Sequence, residues 1–289
     1  MNRNAEEIKK IILEKAQADD RIRAVLLNGS RANTKLKPDS LQDFDIVYLV
    51  NNLESFVSDH HWTSIFGEKL VWQLPDEMQS GDENTGHQSV SFSYLMLFKD
   101  GNRIDLTLFP RNRFDSDFKM DSLTSVWLDK DSRFSNLPEP DEKDYLVKRP
   151  TERQFRDVCN EFWWVCTYVS KGLLRSEITY AKAMMENPVR QMFMKIIGWH
   201  IGVNTNFSVS LGKDGKYIRQ YLSEKEYKSI LKTYADYKTE NIWKSLFLMT
   251  KLFSAYAKDV SEKLSFKYNQ EKQLNTVTWL REQYKTGLG

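Results

Sequence analysis

The run Val25-Leu26-Leu27 ends in Asn28-Gly29-Ser30-Arg31, and with twelve residues intervening after Ser30 the triplet Asp43-Phe44-Asp45 runs straight into Ile46-Val47-Tyr48-Leu49-Val50. Few folds tolerate two carboxylates at the mouth of so apolar a segment. Read along the chain, this is a strand, a Gly-Ser turn opening a helix, and a second strand. Side chains two apart in a strand share a face, so Asp43 and Asp45 point one way while Phe44 and Ile46 point into a core. Like charges about 6–7 Å apart repel unless a cation lies between them. Carboxylate oxygens suit Mg²⁺, a hard ion that also takes substrate phosphates. Backbone N–H groups at a helix start, with the Ser30 hydroxyl, would face an anion.

A third carboxylate strengthens the pattern. Ser91 to Phe98 is strand-like, Lys99-Asp100-Gly101-Asn102 signals a hairpin, and Arg103 to Leu108 is the returning strand. Ile104, Leu106 and Leu108 share its apolar face; Asp105 and Thr107 share the other. An aspartate in such a strand needs a partner, and beside Asp43 and Asp45 it completes a three-carboxylate site. Asp115-Ser116-Asp117 and Asp129-Lys130-Asp131 repeat the spacing without that context and read as solvated pairs.

These stretches, together with "GSRAN", "QDFDI", "RIDLTL", "VKRPTERQF", "CNEFWWV" and "NIWKSLF", resemble the nucleotidyltransferase superfamily of polymerase-beta type. Within it they are similar to the aminoglycoside 6-adenylyltransferase family. Gln42 stands where the superfamily often has Ser, which matches the subfamily. The resemblance implies transfer of AMP from ATP to the 6-hydroxyl of streptomycin, with release of pyrophosphate. Asp43, Asp45 and Asp105 would then be catalytic and metal-binding, with Mg²⁺ as two ions. Gly29, Ser30 and Arg31 would hold the nucleotide. The rival readings are a protein or RNA acceptor for the same chemistry, and a non-catalytic nucleotide-binding module.

The expected fold is α+β: a nucleotidyltransferase domain over residues 1–137 with a mixed sheet flanked by helices, then an all-helical bundle over 151–289, with the active cleft between them. Leu137 to Asp144 combines two prolines with a charge run, and 138–150 is the expected linker. Ala5 to Ala18 reads as an amphipathic helix. Pro75 to Gln88 is expected as a mobile loop near the site mouth, and His60, His61 and His87 as exposed loop residues. Beyond Pro150, Thr151 and Gln154 form a capping box, and Phe155, Cys159, Phe162, Cys166, Val169 and Leu173 form a core stripe.

Asp157, Glu161, Trp164 and Tyr168 occupy another face of the same helix. Carboxylates among large aromatics suit a polycationic sugar; the plain alternative is a solvated, packed face. Spacing alone leans to the plain reading, and the resemblance of "CNEFWW" reverses that for Glu161. Asn187-Pro188 is expected to open a helix that His200 closes in a capping or core role. Lys213 and Lys216, on a Gly-rich loop, would either reach nucleotide phosphates or form a surface turn.

Charge bounds the partners. A net charge of +2 supplies no bulk attraction to nucleic acid, so none is expected. No apolar run reaches the ~18 residues of a membrane span. The start of the chain lacks a signal-peptide pattern, and Cys159 and Cys166 read as buried thiols of a reducing compartment. The expectation is a cytoplasmic monomer or weak homodimer that acts on a small molecule.

Overall fold

Residues at every second position from Phe92 to Phe98 and from Ile104 to Leu108 are apolar and buried, and the residues between them are only half-buried. This alternation makes strands with one face on a core. The computed structural model describes residues 3–78 and 90–287; His87 and most of the expected 75–88 loop lie outside the described residues. The chain divides into two units, Met1–Asp144 and Tyr145–Gly289.

The first unit is a six-stranded mixed sheet in the order β3-β4-β5-β2-β1-β6. The strands are β1 (Ile22–Asn28), β2 (Phe44–Val50), β3 (Lys69–Gln73), β4 (Phe92–Phe98), β5 (Arg103–Pro110) and β6 (Ser125–Asp129). Among the described strands β2 and β5 run parallel and the other neighbours are antiparallel. Helix α1 (Ala5–Ala18) begins with an Asn4–Glu7 capping box and buries Ile8, Ile12 and Ala16 on one face of the sheet. Ala24, Leu26, Val47 and Leu49 bury the other face against Phe109 and Phe114. The short helices α2 (Glu54–Val57) and α3 (Phe114–Asp117) complete the unit. The segment after Leu137 is tied to it: Asp141 N–H donates to the Ser122 carbonyl at 2.8 Å, and Asn33 donates to Glu142 at 2.7 Å.

His60 departs from the exposed-loop expectation. Its ring stacks on Phe92 with centroids 5.7 Å apart, and it pairs with the Tyr94 hydroxyl at 3.0 Å and with Glu77 at 3.0 Å. The aromatic partners come from β4, some thirty residues on, and short-range sequence reading does not reach that far.

The second unit is helical: α4 (Glu152–Leu174), α5 (Ile178–Met184), α6 (Arg190–Asn204), α7 (Glu224–Leu231), α8 (Thr239–Leu264) and α9 (Gln270–Thr286). The α4 stripe is buried as its spacing predicts, and Phe162 stacks on Phe253 of α8 with centroids 3.7 Å apart. Cys159 and Cys166 are free buried thiols, and burial pushes their ionisation far up. His200 is satisfied by Asp259 at 2.7 Å.

Asn187-Pro188 does not open a helix. Met185–Val189 is a π-helical turn with Pro188 inside it, joining α5 to α6 without a break. Proline has no N–H to donate to an α-helical ladder, and widening the helix locally lets the chain continue past it. None of the described helices is long and apolar enough to cross a membrane.

Candidate active site

Parallel pairing of β2 with β5 sets Phe44 opposite Ile104, Asp45 opposite Asp105 and Ile46 opposite Leu106. Neighbouring strands lie about 4.8 Å apart, so the Asp45 and Asp105 carboxylates stand side by side on one end of the sheet. Antiparallel pairing of β1 with β2 sets Asn28 opposite Asp45. The Gly29-Ser30-Arg31 turn therefore leaves the sheet beside that carboxylate.

Gly29 has a φ of +73°, and a Cβ built on it would lie 2.3 Å from Asp45 Oδ2. Both facts require glycine there. Gly29–Arg31 is a single 3₁₀ turn and not the first turn of a helix, which corrects the expected helix start. Thr34 and the turns that follow carry no helical ladder, so no macrodipole adds to the turn's own N–H groups. The Arg31 guanidinium staples this loop: it donates to the Gln42 carbonyl at 2.6 Å and the Asp43 carbonyl at 3.2 Å. It also lies 3.8 Å above the Phe44 ring.

The electrostatics follow from this crowding. Burial, then the charges of Asp105 and Asp43, push the Asp45 carboxyl up to about 6. Arg103 supplies a counter-charge. It donates to both Asp105 oxygens at 2.7 Å, and its Nε lies 3.7 Å from Asp43 Oδ2. The expected three-carboxylate cage is not closed: among the described residues no three His, Cys, Asp or Glu side chains are gathered tightly enough to hold a metal ion. Asp43 and Asp105 meet a guanidinium here, with Asp45 beside Asp105. In donor chemistry the three aspartates fit a hard divalent ion, since all three offer carboxylate oxygens and their mutual repulsion favours a positive charge. Arg103 had no assigned role in the sequence reading. The signal was present, because Arg103 and Asp105 are two apart and so share a strand face.

A family description of streptomycin adenylyltransferase matches residues 2–283. The chain belongs to that family. It is similar to the aminoglycoside 6-adenylyltransferase of Bacillus subtilis (strain 168), with 42% identity over 267 residues, 92% of this chain and 93% of the relative. The Campylobacter jejuni enzyme of the same name is 41% identical over 288 residues, 99% of this chain and 98% of the relative. A solved structure described as an aminoglycoside 6-adenyltransferase from Bacillus subtilis has a TM-score of 0.47 and 37% identity, covering 98% and 99% of the two chains. Like its family, the chain is a nucleotidyltransferase.

In this streptomycin adenylyltransferase family member the other expected site residues lie in the helical unit. Asp157, Glu161, Trp164 and Tyr168 share the outer side of α4, where Trp164 is 60% exposed. The indole N–H of Trp164 donates to the Tyr168 hydroxyl at 2.8 Å. Arg153 and Arg156 approach Asp157 at 3.7 and 3.9 Å. Trp164 also borders a groove of about 770 Å³ with Trp163, Trp279 and Thr276. Lys213 starts an exposed 3₁₀ turn and Lys216, also exposed, caps its end; the Lys216 ammonium lies 5.0 Å from the Tyr217 ring centre.

Proposed function

We propose that this enzyme transfers AMP from ATP to the 6-hydroxyl of streptomycin, the chemistry that inactivates the drug and confers resistance. The observation that carries the reading is the pairing of Asp45 with Asp105 beside the Gly29-Ser30 turn. Carboxylates held against a turn rich in backbone donors provide what nucleotidyl transfer needs, a site for cation and triphosphate together. The family match and the names of the relatives support the acceptor class.

The acceptor oxygen bonds to the α-phosphorus, the bond from that phosphorus to the bridging oxygen breaks, and pyrophosphate leaves. Gly29 and Ser30 face the phosphates with backbone N–H groups and a hydroxyl; Arg31 keeps that turn in register. Asp43 and Asp45 would hold Mg²⁺, which neutralises the triphosphate and acidifies the hydroxyl when bound. Asp105 completes the donor set or takes the hydroxyl proton, and either role needs the lone pairs that Arg103 now engages. Glu161 and Trp164 would orient the drug, with a carboxylate for its guanidinium groups and an indole face for its rings. Asp157 and Tyr168 flank them. Lys213 and Lys216 are candidates for contacts to the β- and γ-phosphates. Catalysis of this kind rests on positioning and charge neutralisation.

The test is pyrophosphate release from the whole chain with ATP and Mg²⁺, with and without streptomycin, and the mass of the drug afterwards. Drug-dependent release with a gain of one AMP is the expected result. ATP binding without drug-dependent release would void the acceptor.

A further inference from the structure

Arg103 is placed as no ordinary surface arginine is. Its fork grips both oxygens of Asp105 at 2.7 Å each, its Nε reaches to 3.7 Å from Asp43, and Asp45 lies one strand away from Asp105 in register. One guanidinium thus contacts two of the three carboxylates, and the third lies beside the one it grips. Arg31 does not fill that role: its Nε and Nη2 donate to the Asp43 and Gln42 carbonyls and its plane lies over Phe44.

Two further facts make the arrangement reversible. The Arg103 side chain is 43% exposed, and it starts β5 directly after the Gly101-Asn102 turn, so it can swing into solvent without opening a core. Asp105 is only 19% exposed, so a partner has to come to it. A bidentate guanidinium engages both carboxylate oxygens, which leaves neither fully available to a divalent ion.

We infer that Arg103 is a positioning residue that holds these carboxylates together by its charge and competes with a divalent cation for them. The inference rests on the metal-dependent reading above. Its physical logic is a population tax. If the competent arrangement is the minor one, with Arg103 swung away, the apparent affinity for the ion falls by the fraction populated. The benefit is a site that does not fly apart by like-charge repulsion before the ion arrives. Mg²⁺ carries two charges on a small ion and wins when delivered, whereas the guanidinium spreads one charge over a plane.

The experiment measures binding of Mn²⁺ alone to the full chain, by the electron paramagnetic resonance signal of free ion, for wild type, Arg103→Met, Arg103→Lys and Asp45→Asn. Thermal melts of each are taken with and without Mn²⁺. Arg103→Met should bind Mn²⁺ about ten-fold tighter than wild type, melt lower without the ion, and recover more on adding it. Arg103→Lys keeps the charge and loses the fork, so its affinity should fall between the two; it also carries the test should the methionine variant not fold. Asp45→Asn should lose binding. Equal affinity in wild type and both Arg103 variants, with binding still lost in Asp45→Asn, overturns the competition and leaves the carboxylate site standing. Weaker binding in the Arg103 variants also overturns it. No Mn²⁺ binding in any protein removes both the competition and the metal reading.

Discussion

A β-carbon on Gly29 would lie 2.3 Å from Oδ2 of Asp45, well inside van der Waals contact. The turn after β1 and the first in-strand carboxylate of β2 are therefore fitted to each other with no room for a side chain. Under the proposed reaction, that one contact places both the turn that would meet the phosphates and the oxygen that would meet the cation.

Gly29→Ala tests that fit. The substitution adds the clash with Asp45 and forces an L side chain into a positive φ, so it should destabilise the chain by about 2–3 kcal/mol. Turnover should fall by more than stability does, at temperatures where the variant is fully folded. Denaturant titration with steady-state kinetics separates the two; wild-type turnover would show that the turn has no part in the reaction.

Asp45→Asn should abolish transfer while leaving the fold at least as stable near neutral pH. The mutation removes a buried charge that two neighbouring carboxylates already oppose. Circular dichroism and a melt establish the fold, and pyrophosphate release reports turnover. A variant that turns over like wild type removes Asp45 from the metal set.

The same carboxylate fixes the sign of a pH dependence. Asp45 ionises near 6 in the folded chain against an ordinary 3.8, so the native state holds the extra proton through that window. Stability from this group is full below it and is lost as pH rises through about 6, by on the order of 2 kcal/mol. The advantage of Asp45→Asn over wild type should therefore grow between about pH 4 and pH 7 and then level off. Mg²⁺ should flatten the slope by favouring the ionised form. Unfolding free energies across pH measure both, and a flat difference without metal would mean that Asp45 ionises at its ordinary value.

Glu161→Gln and Trp164→Ala address the drug. Both residues are exposed on α4, so melting temperatures should barely move. The KM for streptomycin should rise about ten-fold, as loss of a charged or aromatic contact predicts, with kcat much less affected. An unchanged KM would return this face to ordinary solvated surface.

In the helical core, Phe253→Ala removes a ring stacked on Phe162 at 3.7 Å and should cost about 3–5 kcal/mol. Calorimetry of the full chain should show that loss in the melting of Tyr145–Gly289.

What the sequence determined by itself was local or periodic. The alternation in Phe92–Phe98 and Ile104–Leu108, the α4 stripe and the capping box at Thr151 need only neighbours within a few positions, and all formed as their spacing predicts. The choice of Asp43, Asp45 and Asp105 as candidates also came from local context, charge set into apolar strands. Tertiary structure decided the rest. Which strands pair, and in what register, put Asp45 opposite Asp105; no spacing between residues sixty apart specifies that. Long-range packing took His60 partly out of solvent, and helix continuity carried Pro188 through a π turn instead of starting a helix there. Above all, Arg103 came to stand among the carboxylates because strand pairing gathered three negative charges at one sheet end. Charge balance there is a property of the assembled sheet.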